Sequence, residues 1–436
     1  MLARRFGPLF LGVAILAGAG EATEEQKAGQ ILQASGVKGG LVVHLGCGDG
    51  RLTAALGAHD GYLVHALDAK AENVAVARKT IRGLGLYGKV SAEQWSGAGL
   101  PYVDNLVNLL VAEDRGAVPM AEVLRVLAPG GLAYVKSRGT WEKTVKPRPS
   151  QIDEWTHYLH DPSNNAVAQD AVVGPPRHLQ WTAGPRYSRH HDHMSSVSAM
   201  VSGGGRNFYI FDEATRASIL TPPKWFLTAR DAMSGVTLWK RPIAEWHSWL
   251  WPLKSGPQLL TRRLVAGGDR VYVTLGLNAP LSALDAATGR TLHTYEGTAV
   301  TEEILLAQGV LFLVVNPRRE PTFTTLDETR DAAARAWPDE GKRRILALRA
   351  DSGGVLWEKA DRILPETLTV GRQGVFYHNG ERIVCLDRAG GGRKWAEGPE
   401  EAGYQCVWDG GVSVDEHDDD GARGREVAHR GVVARE

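Results

Sequence analysis

Three cysteines in 436 residues are too few for a disulfide framework, and at most Cys385 and Cys406 could pair. Charge of one sign is also lacking: 50 basic residues balance 50 acidic ones, for a formal net charge of zero. No long-range field therefore draws the chain to nucleic acid or to an anionic membrane surface. Beyond the first twenty residues no apolar run is long enough to span a bilayer. Hydrophobic residues at 43% and charged residues at 23% exclude a disordered chain and a coiled coil. At roughly 150 residues per domain the length gives about three units, or two if one is a large all-β array.

Glycine is abundant: 51 residues, about 12% against a usual value of about 7%. With 13 tryptophans it implies many tight turns between short aromatic-bearing strands, the composition of a β-propeller. At the N-terminus, Arg4 and Arg5 precede an apolar run from Phe6 to Ala17, and Ala17-Gly18-Ala19 supplies small residues for cleavage. Residues 1–20 therefore read as an export signal, which places the mature protein in the periplasm or outside the cell.

Residues 25–148 alternate strands and helices. Leu41-Val42-Val43-His44-Leu45 is an apolar strand ending in Gly46-Cys47-Gly48-Asp49-Gly50, and a helix is expected from Arg51 to Ala58. Glycine suits such a turn because a ligand lying on the backbone, under the following helix's amides, leaves no room for a Cβ. A second strand, Tyr62–Leu67, ends at Asp68, about 20 residues beyond the turn, where a carboxylate can accept from ribose hydroxyls. A helix over 71–84 and β-rich segments near Val90, over 106–111 and over 132–135 complete a doubly wound α/β pattern.

This region resembles the class I S-adenosylmethionine-dependent methyltransferases. The likeness lies in the glycine turn, Leu67-Asp68-Ala69, the helix with Ala77-Arg78, Leu100-Pro101-Tyr102, and the run from Glu122 to Gly131, EVLRVLAPGG. It implies that Gly46, Gly48 and Gly50, with Cys47 among them, cradle the methionine part of S-adenosylmethionine and that Asp68 holds its ribose. His44 stands where the family usually carries an acidic residue. The family's last two strands are not evident before residue 150, and no Asn-Pro-Pro-Tyr-type motif marks a catalytic base.

The second half changes period. Four segments fit the template Ala-Leu-Asp-Ala-x-Thr-Gly-x-x-Leu-Trp: Ala229–Gly235 ending at Trp239, Ala283–Gly289 ending at His293, Ala347–Gly353 ending at Trp357, and Cys385–Gly391 ending at Trp395. Physically this is strand, capped turn and strand, with Asp capping, Gly taking positive φ, and Trp packing between sheets. The spacing of about 40 to 65 residues suits one four-stranded blade with insertions. The template resembles the pyrroloquinoline-quinone-like β-propeller repeat, found in quinoprotein alcohol dehydrogenases and in propellers that bind no quinone and act as assembly scaffolds. Over 175–408 it implies such a propeller. Bound quinone is not expected, because the vicinal cysteines of the dehydrogenases are lacking. Gln180-Trp181 resembles the outer strand that opens such a propeller. The domain order resembles large exported bacterial proteins.

The connecting segment 149–195 holds His157, His160, His178, His190, His191 and His193, six of 14 histidines. On a helix His157 and His160 would share a face, and with His190, His191 and His193 they form a weak candidate metal set. Polar loops with backbone-bonded imidazoles are the favoured reading. Residues 409–436, with the acidic run 415–420, read as a disordered charged tail, and four blade signatures leave an open arc that points to a truncated chain. The expected function is an exported, S-adenosylmethionine-binding, methyltransferase-like protein whose propeller recruits a protein partner or substrate. The alternatives are a catalytically inactive propeller scaffold and a quinoprotein oxidoreductase.

Overall fold

The computed structural model describes residues 22–175, 179–184, 189, 197–217, 221–246, 258–318, 341–372 and 374–398, with the backbone of 405–408 and 411–414. The expected export signal, His178, His190, His191, His193 and the acidic run 415–420 lie outside the described residues.

The first unit contains α1 (Glu24–Ser35), β1 (Gly40–Leu45), α2 (Arg51–Leu56), β2 (Tyr62–Asp68), α3 (Ala71–Gly83), β3 (Val90–Gln94), β4 (Val107–Ala112), α4 (Met120–Val126), β5 (Leu127–Ser137) and β6 (Thr140–Val145). Its sheet runs β3-β2-β1-β4-β5-β6. The first five strands are parallel and β6 is antiparallel to β5. Every residue of β1 is buried, as the sequence of a central strand covered on both faces requires. One face packs Val42, Val64, Ala66, Leu109 and Val111 against Ile31, Leu56, Val74 and Ile81 of the helices. The other packs Val43, Leu45, Leu67 and Leu110 against Val123 and Val126 of α4. The strand β6, absent from the sequence reading, extends the sheet on that side through the tight turn at Arg138-Gly139, both at positive φ.

The second unit is four consecutive four-stranded antiparallel meanders. Blade 1 is β7 (Val197–Gly203), β8 (Arg206–Asp212), β9 (Trp225–Asp231) and β10 (Thr237–Ile243). Blade 2 is β11 (Leu264–Gly267), β12 (Arg270–Thr274), β13 (Leu281–Asp285) and β14 (Thr291–Thr294). Blade 3 is β15 (Thr301–Ala307), β16 (Val310–Val315), β17 (Lys342–Arg349) and β18 (Val355–Arg362). Blade 4 is β19 (Thr369–Val370), β20 (Gly374–His378), β21 (Ile383–Asp387) and β22 (Arg393–Glu397), and a hairpin β23 (Gln405–Trp408) and β24 (Gly411–Val414) follows. Within the expected tail, Gly411–Val414 pairs antiparallel with β23.

The template residues join blade to blade. Trp239 Nε1 donates to Ala286 O at 3.0 Å and Trp357 Nε1 to Arg388 O at 2.9 Å, each across to the next blade's turn. Each indole lies over that turn's glycine, where a Cβ on Gly289 or Gly391 would come within 2.6 Å of the ring. Between blades 2 and 3 two residues replace the tryptophan. His293 covers Gly353 and the Tyr295 hydroxyl donates to Ala350 O at 2.5 Å. Trp181 performs the same docking on blade 1, donating to Ala232 O at 2.9 Å over Gly235. The described residues 179–184 carry no strand, so Gln180 and Trp181 dock from a loop rather than from the expected strand. The turn aspartate caps where present: Asp285 Oδ1 accepts from Ala287 N, Thr288 N and Thr288 Oγ1 at 2.8 to 3.1 Å. In blade 3 Arg349 stands in that place.

The connecting segment threads the inner strands. Trp155 O accepts from Ser202 N, Thr156 O from Ala266 N, His157 Nε2 from Leu306 N and Pro162 O from Val370 N, at 2.7 to 2.9 Å. These donors sit one residue from the end of β7, β11 and β15 and at the end of β19, so one segment supplies an acceptor to the inner strand of each of the four blades. His157 and His160 therefore lie in a tight loop, paired with each other as an isolated bridge. The segment is a loop with the His157 ring bonded to a backbone amide rather than the alternative helical face, since its backbone groups go to the blades and His160 takes φ 74°, which no helix accommodates.

Candidate functional site

The glycine turn sits at the C-terminal end of β1, and its three glycines do different things. Gly46 and Gly48 have φ of 79° and 51°, and a Cβ on either would meet nothing within 4 Å. Their left-handed backbone demands glycine and leaves open space beside it. Gly50, at φ 81°, faces α3 instead, where a Cβ would stand 2.6 Å from Ala77 Cα. Its smallness lets α2 and α3 approach.

Asp68 ends β2 beside this turn and is buried. Burial alone would raise its pKa, but donation from Lys70 N, Asn73, Gly48 N and Cys47 outweighs it and holds the carboxyl below the usual range. It is therefore an ionised acceptor at neutral pH. Cys47 lies against it, and burial followed by the Asp68 charge pushes the thiol up to about 12. At neutral pH it is a thiol rather than a nucleophilic thiolate.

His44 is buried and turns toward α2, where Nδ1 lies 2.8 Å from Thr53 Oγ1. Burial depresses its pKa to about 4, so it is neutral at physiological pH. In place of a carboxylate, the position carries an uncharged ring bonded to a helix.

The loop beyond β3 is braced from α4. Glu122 Oε1 accepts from Leu100 N at 2.6 Å and from Arg125 Nη2 at 2.7 Å. Donation from Arg125 first, then from Leu100 N, holds Glu122 at about 2. Tyr102 in this loop lies 2.8 Å from His65 Nδ1, and His65 Nε2 lies 3.5 Å from Glu93. These motif residues hold the loop in place. Sequence reasoning missed Asn73, whose amide reaches both oxygens of Asp68; its only local signal was a place in the first turn of α3.

The histidine pair shows no metal geometry. His157 Nε2 accepts from Leu306 N, so its proton sits on Nδ1, which donates to Thr156 Oγ1 at 2.8 Å. Burial, then the charge of His160, lowers it to about 3. His160 Nε2 lies 2.7 Å from Asp153 Oδ2. Among the described residues no group of three His, Cys, Asp or Glu could hold a metal ion. Cys385 is buried in β21, and the Cys406 side chain lies outside the described residues, so their pairing remains an expectation.

A cavity of about 400 Å³ lies away from the glycine turn, between the start of β1 and blade 1, lined among others by Lys38, Arg148, Arg206 and Asp231. Asn108 joins the two units beside it, accepting from Leu41 N at 2.8 Å and donating to Asp231 Oδ2 at 2.7 Å.

Residues 42–131 match the family model described as "Methyltransferase domain". Residues 223–422 match the one described as "Outer membrane protein assembly factor BamB". The chain joins a methyltransferase-like domain to a BamB-like propeller domain. Solved structures similar to the first domain include a protein from Methanococcus maripaludis described as an S-adenosyl-L-methionine-dependent methyltransferase. It is 26% identical, with a TM-score of 0.24, over 25% of this chain and 52% of that one. Geranyl diphosphate C-methyltransferase from Streptomyces coelicolor A3(2) is 20% identical, with a TM-score of 0.24, over 26% and 45%. The [4+2]-cyclase SpnF is 24% identical, with a TM-score of 0.24, over 26% and 43%. The chain thus spans about half the length of these structures or less. No curated protein matches. No helix among the described residues is long and apolar enough to cross a membrane.

Proposed function

We propose that the methyltransferase domain binds S-adenosylmethionine at the glycine turn and transfers its methyl group, while the BamB-like propeller receives a protein partner or substrate at the cell envelope. The observation that carries this reading is the pairing of Gly46 and Gly48, bare of Cβ and facing open space, with an ionised Asp68 at the end of the neighbouring strand. Gly46 and Gly48 would take the methionine portion against their backbone, and Asp68 would take the ribose hydroxyls. The bound cofactor supplies an electrophilic methyl group. The residues of this chain supply binding and orientation, and the ionised Asp68 supplies fixed negative charge. The export signal read over residues 1–20 and the BamB-like match together support the envelope location.

A second reading, a scaffold that binds without chemistry, draws on His44, neutral and committed to Thr53. A quinoprotein is disfavoured because the vicinal cysteines of those dehydrogenases are lacking. Thermal melting with S-adenosylhomocysteine separates the readings. A ligand bound only by the folded state, at about 100 times its dissociation constant, stabilises by about 2.7 kcal/mol. A rise in melting temperature abolished by Asp68→Ala supports the cofactor site; no rise at millimolar ligand supports the scaffold.

A further inference from the structure

We propose that Asn73 gates the ribose site: its side-chain amide bonds both oxygens of Asp68 and must swing away before a nucleoside's vicinal hydroxyls can bond there. This rests on the cofactor reading above and adds a positioning residue that neither the motif nor the family match assigns.

An ionised carboxylate offers about four lone-pair positions, and on Asp68 all are in use. Oδ1 accepts from Lys70 N at 2.9 Å and from Asn73 Nδ2 at 3.2 Å. Oδ2 accepts from Gly48 N at 3.2 Å and from Asn73 Nδ2 at 3.1 Å. The neutral Cys47 thiol adds a further, weaker donor. A ribose diol needs one acceptor position for each hydroxyl, so two of these contacts must yield.

The donors differ in how readily they move. Gly48 N belongs to the left-handed turn and Lys70 N caps the start of α3, so both are fixed by backbone. Asn73 is a half-buried side chain in the first turn of α3, reached through two rotatable bonds. One amide straddles both carboxylate oxygens at distances longer than the usual 2.9 to 3.0 Å. Gly48 N is as distant at 3.2 Å, so what sets Asn73 apart is that its donor is a rotatable side chain. When it leaves, both oxygens open together, and two adjacent hydroxyls restore what was lost; a ligand without them leaves a buried carboxylate short of donors.

The gate thus lowers affinity only for a nucleoside whose 2′,3′-diol displaces Asn73, and a nucleoside without the diol leaves the amide in place. The test uses the full chain and Asn73→Ala, with Asn73→Ser as a second variant whose shorter side chain does not span both oxygens. S-adenosylhomocysteine is titrated by calorimetry, and adenosine and 2′,3′-dideoxyadenosine are measured by competition against it. Removing the gate is expected to tighten S-adenosylhomocysteine and adenosine about tenfold and to leave the dideoxynucleoside unchanged. A purely structural role would move both nucleosides together. If the wild-type chain binds and both variants bind equally or more weakly, the gate is wrong and the cofactor site stands. If no folded protein binds any of the three ligands, the cofactor reading fails and the gate with it.

Discussion

His44 and His157 are buried, neutral histidines, one under the glycine turn and one under the propeller's inner edge. Their folded pKa values, about 4 and about 3, lie below the ordinary 6.5. Unfolding lets both take up protons, so their contribution to stability is complete above about pH 6.5 and falls as pH drops toward 4. A shift of this size at His44 corresponds to about 3 kcal/mol. Melting curves from pH 7.5 to 4 should show the loss, and His44→Asn should reduce its steepness; an unchanged slope would contradict the assignment. The glycines give a second contrast. Gly50→Ala places a methyl group against the backbone of Ala77 and should cost about 1–3 kcal/mol through overpacking, seen as a lower melting temperature. Gly48→Ala meets no atom, so its cost is confined to backbone strain and it is expected to weaken nucleoside binding more than folding. Loss of binding in step with loss of stability would contradict that division.

Elements are held by contacts of very different range. The strands β1, β2 and β4 and the helices α2 and α3 were legible in the sequence because their apolar spacing is local. The docking tryptophans were legible as a repeat, down to His293 standing where the others carry tryptophan. That Tyr295 supplies the missing hydrogen bond was not legible, because its partner Ala350 lies in the next blade. Tyr295→Phe should cost about 1 kcal/mol, the worth of one intramolecular hydrogen bond, in denaturant titration, and no change would show that His293 carries the docking alone. The same limit explains the connecting segment. Its residues favoured a polar loop with backbone-bonded imidazoles, but that His157 reaches Leu306 was not legible, because the amide it accepts from is set by where the blade places it. At the site, the turn and Asp68 were legible as a motif, whereas Asn73 was hidden because its part is defined by where α3 places it.

Among the described residues, the first domain and the propeller segment are joined by side-chain bonds from Asn108 to Asp231 and from Gln180 to Asn105 O. Asn108 on β4 links Leu41 N to Asp231, the aspartate that caps the blade 1 turn through Met233 N and Ser234 N. Val236 packs on the α/β core, and a Cβ on Gly39 would stand 2.6 Å from Leu238 Cδ2. One side chain thus ties the starting edge of the first sheet to the first blade. Asn108→Ala leaves the Leu41 amide without its acceptor and should cost about 1–3 kcal/mol, with the two domains melting further apart in calorimetry; a single unshifted transition would contradict the coupling. The proposed function rests on the first domain holding a nucleoside in the open space at Gly46 and Gly48. The most direct test is a calorimetric titration of S-adenosylmethionine into the folded chain and into Asp68→Ala. Saturable binding that weakens at least about tenfold in the variant, as loss of a charged hydrogen-bond acceptor requires, is the expected result; absence of heat with the wild-type chain, or equal affinity in the two, would contradict the cofactor site.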